Sequence, residues 1–203
     1  MKVKFWSFFK WKNIFWIFLL GLAVLPLACG QKVPPTGAVT AAATSTPTAT
    51  AVPTVCSDLG FVSTSGGSGA KANNFIEALS FAVSSPVTIN SLSMYVGTTG
   101  GGNTVLGLYS DNSGAPGILL ASGVINDTVS SWNTAAVTPV AISTGNYWLA
   151  FDNSSSTTLL GQGTGSVTNY QLTYAYSGSL PATWAGGLSG PLQPYSLYAT
   201  GCN

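Results

Sequence analysis

The stretch Val105-Leu106-Gly107-Leu108-Tyr109-Ser110-Asp111-Asn112-Ser113-Gly114-Ala115-Pro116-Gly117-Ile118-Leu119-Leu120-Ala121 decides how this chain folds. Two apolar runs of β type flank a turn in which Asp111, Asn112, Ser113, Gly114, Pro116 and Gly117 crowd together. Each of these residue types accepts a positive φ, pre-sets φ near −65° or hydrogen-bonds its own backbone. The segment therefore reads as strand, turn, strand, with Leu106 and Leu108 on one face of the first strand.

The same period of two continues on both sides. Residues 78–83 alternate, Ser85-Pro86 turns the chain, and in residues 89–96 Leu92, Met94 and Val96 share one face while Ser91, Ser93 and Tyr95 take the other. A Gly-Thr-Thr-Gly-Gly-Gly run at 97–102 ends that strand. Further strands are expected at 131–140, 146–152, 158–160, 170–176 and 195–200. No segment after residue 30 keeps a 3.6-residue apolar period. Short strands about ten residues apart, separated by Gly, Asn or Pro turns, predict an all-β fold: an antiparallel two-sheet β-sandwich, jelly-roll-like. The regular strand there is expected to begin at Ala78 and to leave Glu77 solvated, because a buried lone carboxylate is costly.

Charge divides the chain. Its six basic residues are all Lys, and Lys2, Lys4, Lys10 and Lys12 fall in the first twelve positions. From Cys56 onward only Lys71 faces Asp58, Glu77, Asp111, Asp127 and Asp152, a net −4 with no Arg and no His. Nucleic acid is excluded as a partner, because its phosphates need a basic footprint. With so few charges the surface must be coated by Ser, Thr, Asn and Gly.

Residues 1–28 read as an export signal of lipoprotein type. A basic segment is followed by an uncharged run from 14 to 28, short for a membrane span and suited to a signal core. Leu25-Pro26-Leu27-Ala28-Cys29-Gly30 places a small residue before Cys29, as at a bacterial lipoprotein cleavage site, although Pro26 stands where Leu is usual. Cys29 is the expected lipidation site and membrane anchor. More than one acyl chain, at about 0.8 kcal/mol per buried CH₂, gives stable attachment. Residues 29–55 form a Thr/Pro/Ala-rich linker without large apolar side chains, extended to at most about 80 Å. The folded domain is expected to span 56–203. Cys56 and Cys202, at its two ends, are expected to form a disulfide, since terminal strands of many sandwiches are neighbours and an exported protein sits in an oxidising compartment.

Three motifs together resemble a known group. They are Ala78-Leu79-Ser80-Phe81, the pair Leu106 to Asp111 and Gly114 to Leu120, and Gly145-Asn146-Tyr147-Trp148-Leu149-Ala150. They resemble the choice-of-anchor β-sandwich domains of bacterial surface proteins, especially the type labelled R. The resemblance covers roughly residues 75–152 and implies an extracellular sandwich held to the cell envelope. It implies no reaction and carries over no catalytic residue.

The residues themselves offer little chemistry for catalysis. Without His there is no Ser-His-Asp arrangement and no His-ligated zinc, and no local motif pairs two carboxylates as a glycosidase needs. No enzyme activity and no cofactor are expected. Ca2+ is the one ion to weigh, with Asp111 and Asn112 as its ligands, but Ser122 stands where an EF-hand has its bidentate Glu. Bonds from Asp111 and Asn112 to their own backbone are the leading reading, and Asp152-Asn153 reads the same way. Aromatic residues give the positive hint. Tyr170, Tyr174 and Tyr176 would project from one strand face, and Trp184 lies in a Gly- and Pro-rich segment where it looks least like core. These four are the expected ligand-binding residues. The expected function is a lipid-anchored, non-enzymatic surface module that mediates adhesion or binds a glycan or another surface protein. A structural spacer is the alternative, and a polysaccharide-active enzyme the weaker one.

Overall fold

The computed structural model of this protein describes residues 54–70 and 74–203. The expected signal segment, Cys29 and linker residues 29–53 lie outside the described residues. Among the described residues the fold is all-β, with twelve strands: β1 (Cys56–Phe61), β2 (Gly67–Ala70), β3 (Phe75–Val83), β4 (Val87–Val96), β5 (Asn103–Asp111), β6 (Pro116–Asn126), β7 (Ser131–Ile142), β8 (Gly145–Asn153), β9 (Leu159–Gln162), β10 (Val167–Thr173), β11 (Leu188–Leu192) and β12 (Leu197–Cys202). One sheet runs β1-β12-β4-β9-β2 with β7 on the other edge of β4, and the second runs β11-β10-β3-β8-β5-β6. Every strand pairing is antiparallel. Most connections cross from one sheet to the other, which gives the sandwich its jelly-roll-like weave.

The hairpin of β5 and β6 closes tightly. Asn112 and Ala115 exchange backbone hydrogen bonds of 2.7 and 3.3 Å around Ser113 (φ 56°) and Gly114 (φ 85°). Two central residues with positive φ are the mark of a type I′ turn, whose twist matches the strands it joins. Between the sheets lies the main core, including Leu79 and Phe81 of β3, Leu92 and Met94 of β4, Leu106 and Leu108 of β5, and Leu149 and Phe151 of β8. The alternation read from residues 89–96 is observed: Leu92, Met94 and Val96 are fully buried, and Tyr95 points outward. A second apolar cluster covers the outer face of the β3-containing sheet, where Leu180 and Trp184 pack on Ile76, Val105, Tyr109 and Trp148.

Several elements differ from expectation. Strand β3 begins at Phe75 rather than Ala78, so Glu77 is an inward residue, paired with Phe151 and only 5% exposed. Pairing with β8 on one side and β10 on the other extends the strand past the point where its own alternation becomes weak. The strand expected at 170–176 ends at Thr173. Strands β1, β2 and β11 carry no clear apolar alternation, and their neighbours, not their side chains, make them strands.

Cys56 and Cys202 are joined by a disulfide across 146 residues of sequence, facing one another at the end of the β1–β12 ladder. A bridge of that span constrains the unfolded chain by about 5 kcal/mol in the chain-entropy treatment. Replacing both cysteines by Ser is expected to lower the unfolding free energy by up to about that amount, measured by denaturant titration of the oxidised wild type and the double variant. Two buried phenols add a pH term. Burial, and secondly the charge of Tyr174, raises the pKa of Tyr109; burial, and secondly the charge of Glu77, raises that of Tyr195. The neutral forms are therefore favoured in the folded state. Their contribution is complete below the unfolded value near 10 and is lost as pH rises above it. Stability is expected to fall from about pH 10 upward, and Tyr195→Phe to make that fall shallower in a series of denaturant titrations.

Candidate functional site

Three aromatic side chains form a strip on the outer face of the β4-containing sheet. The inward series Leu92, Met94 and Val96 turns Tyr95 out, and Asn133, Ala135 and Val137 on β7 do the same for Trp132. On β12, buried Leu197 and Ala199 flank Tyr198. Register then brings the three together. Tyr95 stands opposite Trp132, while Ser93 stands opposite both Thr134 and Tyr198.

The rings pack edge to face. Centroids lie 5.6 Å apart for Tyr95 and Trp132, inclined at 73°, and 4.8 Å apart for Trp132 and Tyr198, inclined at 61°. The Trp132 indole thus reaches over Ser93 towards Tyr198, two strands away. Below it the Ser93 and Thr134 hydroxyls are hydrogen-bonded at 2.8 Å. Tyr95 lies on Gly161, where any Cβ would come within 2.6 Å of its ring, so only glycine lets the ring settle there. Each aromatic contact of this kind adds about 0.5–1.5 kcal/mol beyond the area it buries. All three rings are partly exposed, as Tyr170, Tyr174 and Tyr176 are.

Polar groups border the strip. Two residues along β12 from Tyr198, the Thr200 hydroxyl donates to Asp58 Oδ1 at 3.0 Å, on the same outer face. Exposed ring surface beside a carboxylate and hydroxyls is a combination suited to a ring with one apolar face and polar edges. The aromatic face attracts C–H groups through its negative quadrupole, and the polar rim can exchange hydrogen bonds with hydroxyls. No protein-family model matches the chain, and no curated protein matches it.

Of the aromatic residues expected to bind a ligand, Trp184 is buried as packing, while Tyr170, Tyr174 and Tyr176 gather beside it and stay partly exposed. Trp184 is 7% exposed, stands edge to face with Tyr109 at 5.5 Å and donates its indole N–H to Gly186 O at 2.8 Å. Its Gly- and Pro-rich surroundings, which suggested exposure, are a strap. Backbone bonds from Leu119 to Ala182 and from Trp184 to Gly117 lash that strap to the start of β6. Tyr170 stands edge to face with Trp148 at 5.3 Å, and Tyr174 and Tyr176 are half-buried against the same cluster. Burial, then the charges of Asp152 and Asp127, raises the pKa of Tyr176. Tyr95, Trp132 and Tyr198 were visible in the sequence as outward or aromatic strand residues, but only strand pairing makes them neighbours.

The carboxylates act as braces. Asp111 Oδ1 accepts the Trp148 indole N–H at 2.8 Å and Oδ2 accepts the Gly114 amide at 3.0 Å, so hydrogen bonds account for the Asp in the turn; Asn112 closes the hairpin through its backbone. At the opposite end of β5, buried Asp127 accepts the Thr104 hydroxyl at 2.8 Å and the Asn153 amide at 3.1 Å. Asp152 is fully buried on the outer face of β8.

The two tryptophans contribute unequally to stability. Trp184→Ala is expected to cost about 3–5 kcal/mol, as for a buried aromatic, and Trp132→Ala less because its ring is partly exposed. Denaturant unfolding of the two variants beside wild type measures the difference.

Proposed function

We propose that this chain is a non-enzymatic surface module of the bacterial cell envelope that binds a glycan on the strip of Tyr95, Trp132 and Tyr198. The observation that carries the reading is that strip: three partly exposed rings held edge to face across β7, β4 and β12, beside Asp58 and Thr200. Pyranose rings present C–H groups on one face and hydroxyls around the edge, and the strip offers a partner for each. Rings fixed by a glycine seat and by each other lose little conformational freedom on binding, which keeps the entropic cost of association low.

The display of the module follows from the rest of the sequence. The export signal, Cys29 and the Thr/Pro/Ala linker support lipid anchoring to a membrane. The Cys56–Cys202 disulfide is compatible with an extracellular location. The resemblance to choice-of-anchor domains supports the same envelope role.

A glycan array probed with the full-length chain tests the proposal. Binding to a subset of pyranose-containing glycans is expected, with Trp132→Ala weakening it about tenfold or more, equivalent to about 1.4 kcal/mol. Asp58→Asn is expected to alter which glycans are preferred. Retention of no glycan, or binding indifferent to Trp132→Ala in a folded variant, overturns the reading.

A further inference from the structure

Among the described residues, Asp58 is the one side-chain carboxylate on the sheet that carries the aromatic strip. Glu77, Asp111 and Asp152 belong to strands of the other sheet and Asp127 follows β6, whereas Asp58 lies in β1. Across the β1–β12 ladder Asp58 stands opposite Thr200, and Gly60 stands opposite Tyr198. Asp58 and Tyr198 are thus diagonal neighbours, at a spacing of about 7–8 Å that aromatic and long side chains reach across. Gly60 presents no side chain between them, so ring and carboxylate border one open space.

The charge around that space has one sign. No Lys, Arg or His occurs among the described residues, and from Cys56 onward the sequence sets Lys71 alone against five acids. Such a field draws cations and repels anions. The strip adds a second attraction, because the faces of Tyr95, Trp132 and Tyr198 are negative and hold an ammonium that comes within about 6 Å of a ring centroid. Asp58 supplies the third. Its Oδ1 accepts the Thr200 hydroxyl at 3.0 Å, and an exposed carboxylate with about four acceptor sites has room for a further donor. A sugar bearing a free amine engages rings, carboxylate and field together. A uronic or sulfated sugar meets no basic side chain among the described residues.

We infer, on the basis of the glycan reading of the strip, that its ligands are glycans of unacetylated amino sugars, seated against Trp132 and Tyr198 with an ammonium group directed at Asp58. Calorimetric titration of the full-length chain, kept in solution with a polyoxyethylene detergent, tests this with a chitosan oligomer and the chitin oligomer of the same length. The two share a backbone and differ in whether the amine is free. At about pH 6, where such amines are protonated, the chitosan oligomer is expected to bind about tenfold more tightly or better. That advantage is expected to shrink as salt rises from about 0.01 to 1 M. Asp58→Asn, at an exposed position, is expected to keep the thermal unfolding transition and to bring the two affinities close to equal; Trp132→Ala is expected to weaken both. Equal affinity of wild type for the two oligomers, or a preference for chitosan that survives Asp58→Asn, overturns the inference and leaves the glycan reading standing as long as Trp132→Ala lowers binding. Binding of neither oligomer also overturns it, and the glycan array then decides separately whether the strip binds glycans at all.

Discussion

Strand β4 alternates its side chains without interruption from Leu92 to Val96, and both the core and the aromatic strip depend on that alternation. It is hydrogen-bonded to β7 on one edge and to β12 on the other, so its pleat sets the facing of three strands at once. A slip of one residue would carry Met94 into solvent and Tyr95 into the core. The core therefore protects the geometry of the outer face: burial of Leu92, Met94 and Val96 is what keeps Tyr95 opposite Trp132. The register shifts near Ile89 and Thr200 lie outside this stretch, where no ring has to be aligned.

Where a strand had one buried face of its own, its sequence was enough to read it. The β5–β6 hairpin is the clearest case, since a turn of two residues with positive φ and flanking Leu residues leave few alternatives. Strands β1, β2 and β11 were not legible, because Cys-Ser-Asp-Leu-Gly-Phe, Gly-Ser-Gly-Ala and Leu-Ser-Gly-Pro-Leu encode no face; a paired neighbour with free backbone groups supplies the reason for their extended form. The same distinction explains Trp184 and Glu77. Local composition argues that a Trp among Gly and Pro is exposed and that a carboxylate at a strand start is solvated. Tertiary contacts decide otherwise, through the strap bonded to β6 and the double pairing of β3. For the candidate site, the facing of Tyr95 was readable from β4 alone, whereas its meeting with Trp132 and Tyr198 requires a sheet order that joins residues far apart in the chain.

Scarcity of charge shapes the remaining architecture. With no basic side chain among the described residues, Asp111 and Asp127 are satisfied by neutral donors: an indole, a backbone amide, a hydroxyl and a carboxamide. Such bonds to a charged acceptor are stronger than neutral pairs, contributing about 1.5–3 kcal/mol each. They also place one acid at each end of β5, where Asp111 fixes the hairpin and Asp127 ties Thr104 to Asn153. The acids thus hold turns and strand ends in place, which explains why oxygen-rich turns need not signal a metal.

The disulfide gives the proposed envelope role a mechanical logic. A linker attached to the membrane would pull on the chain at Cys56, the first residue of β1. Strand β1 is poorly suited to carry that load alone, since it is an edge strand with mostly exposed side chains and one ladder of hydrogen bonds to β12. Pulled from its end, such a ladder opens one bond at a time. The bridge to Cys202 transfers the force past β1 into β12, which is paired with β1 on one side and with β4 on the other. Load then reaches the strand that carries Tyr198 and the neighbour that carries Tyr95, so in the proposed arrangement the covalent path from the anchor ends in the sheet that holds the glycan.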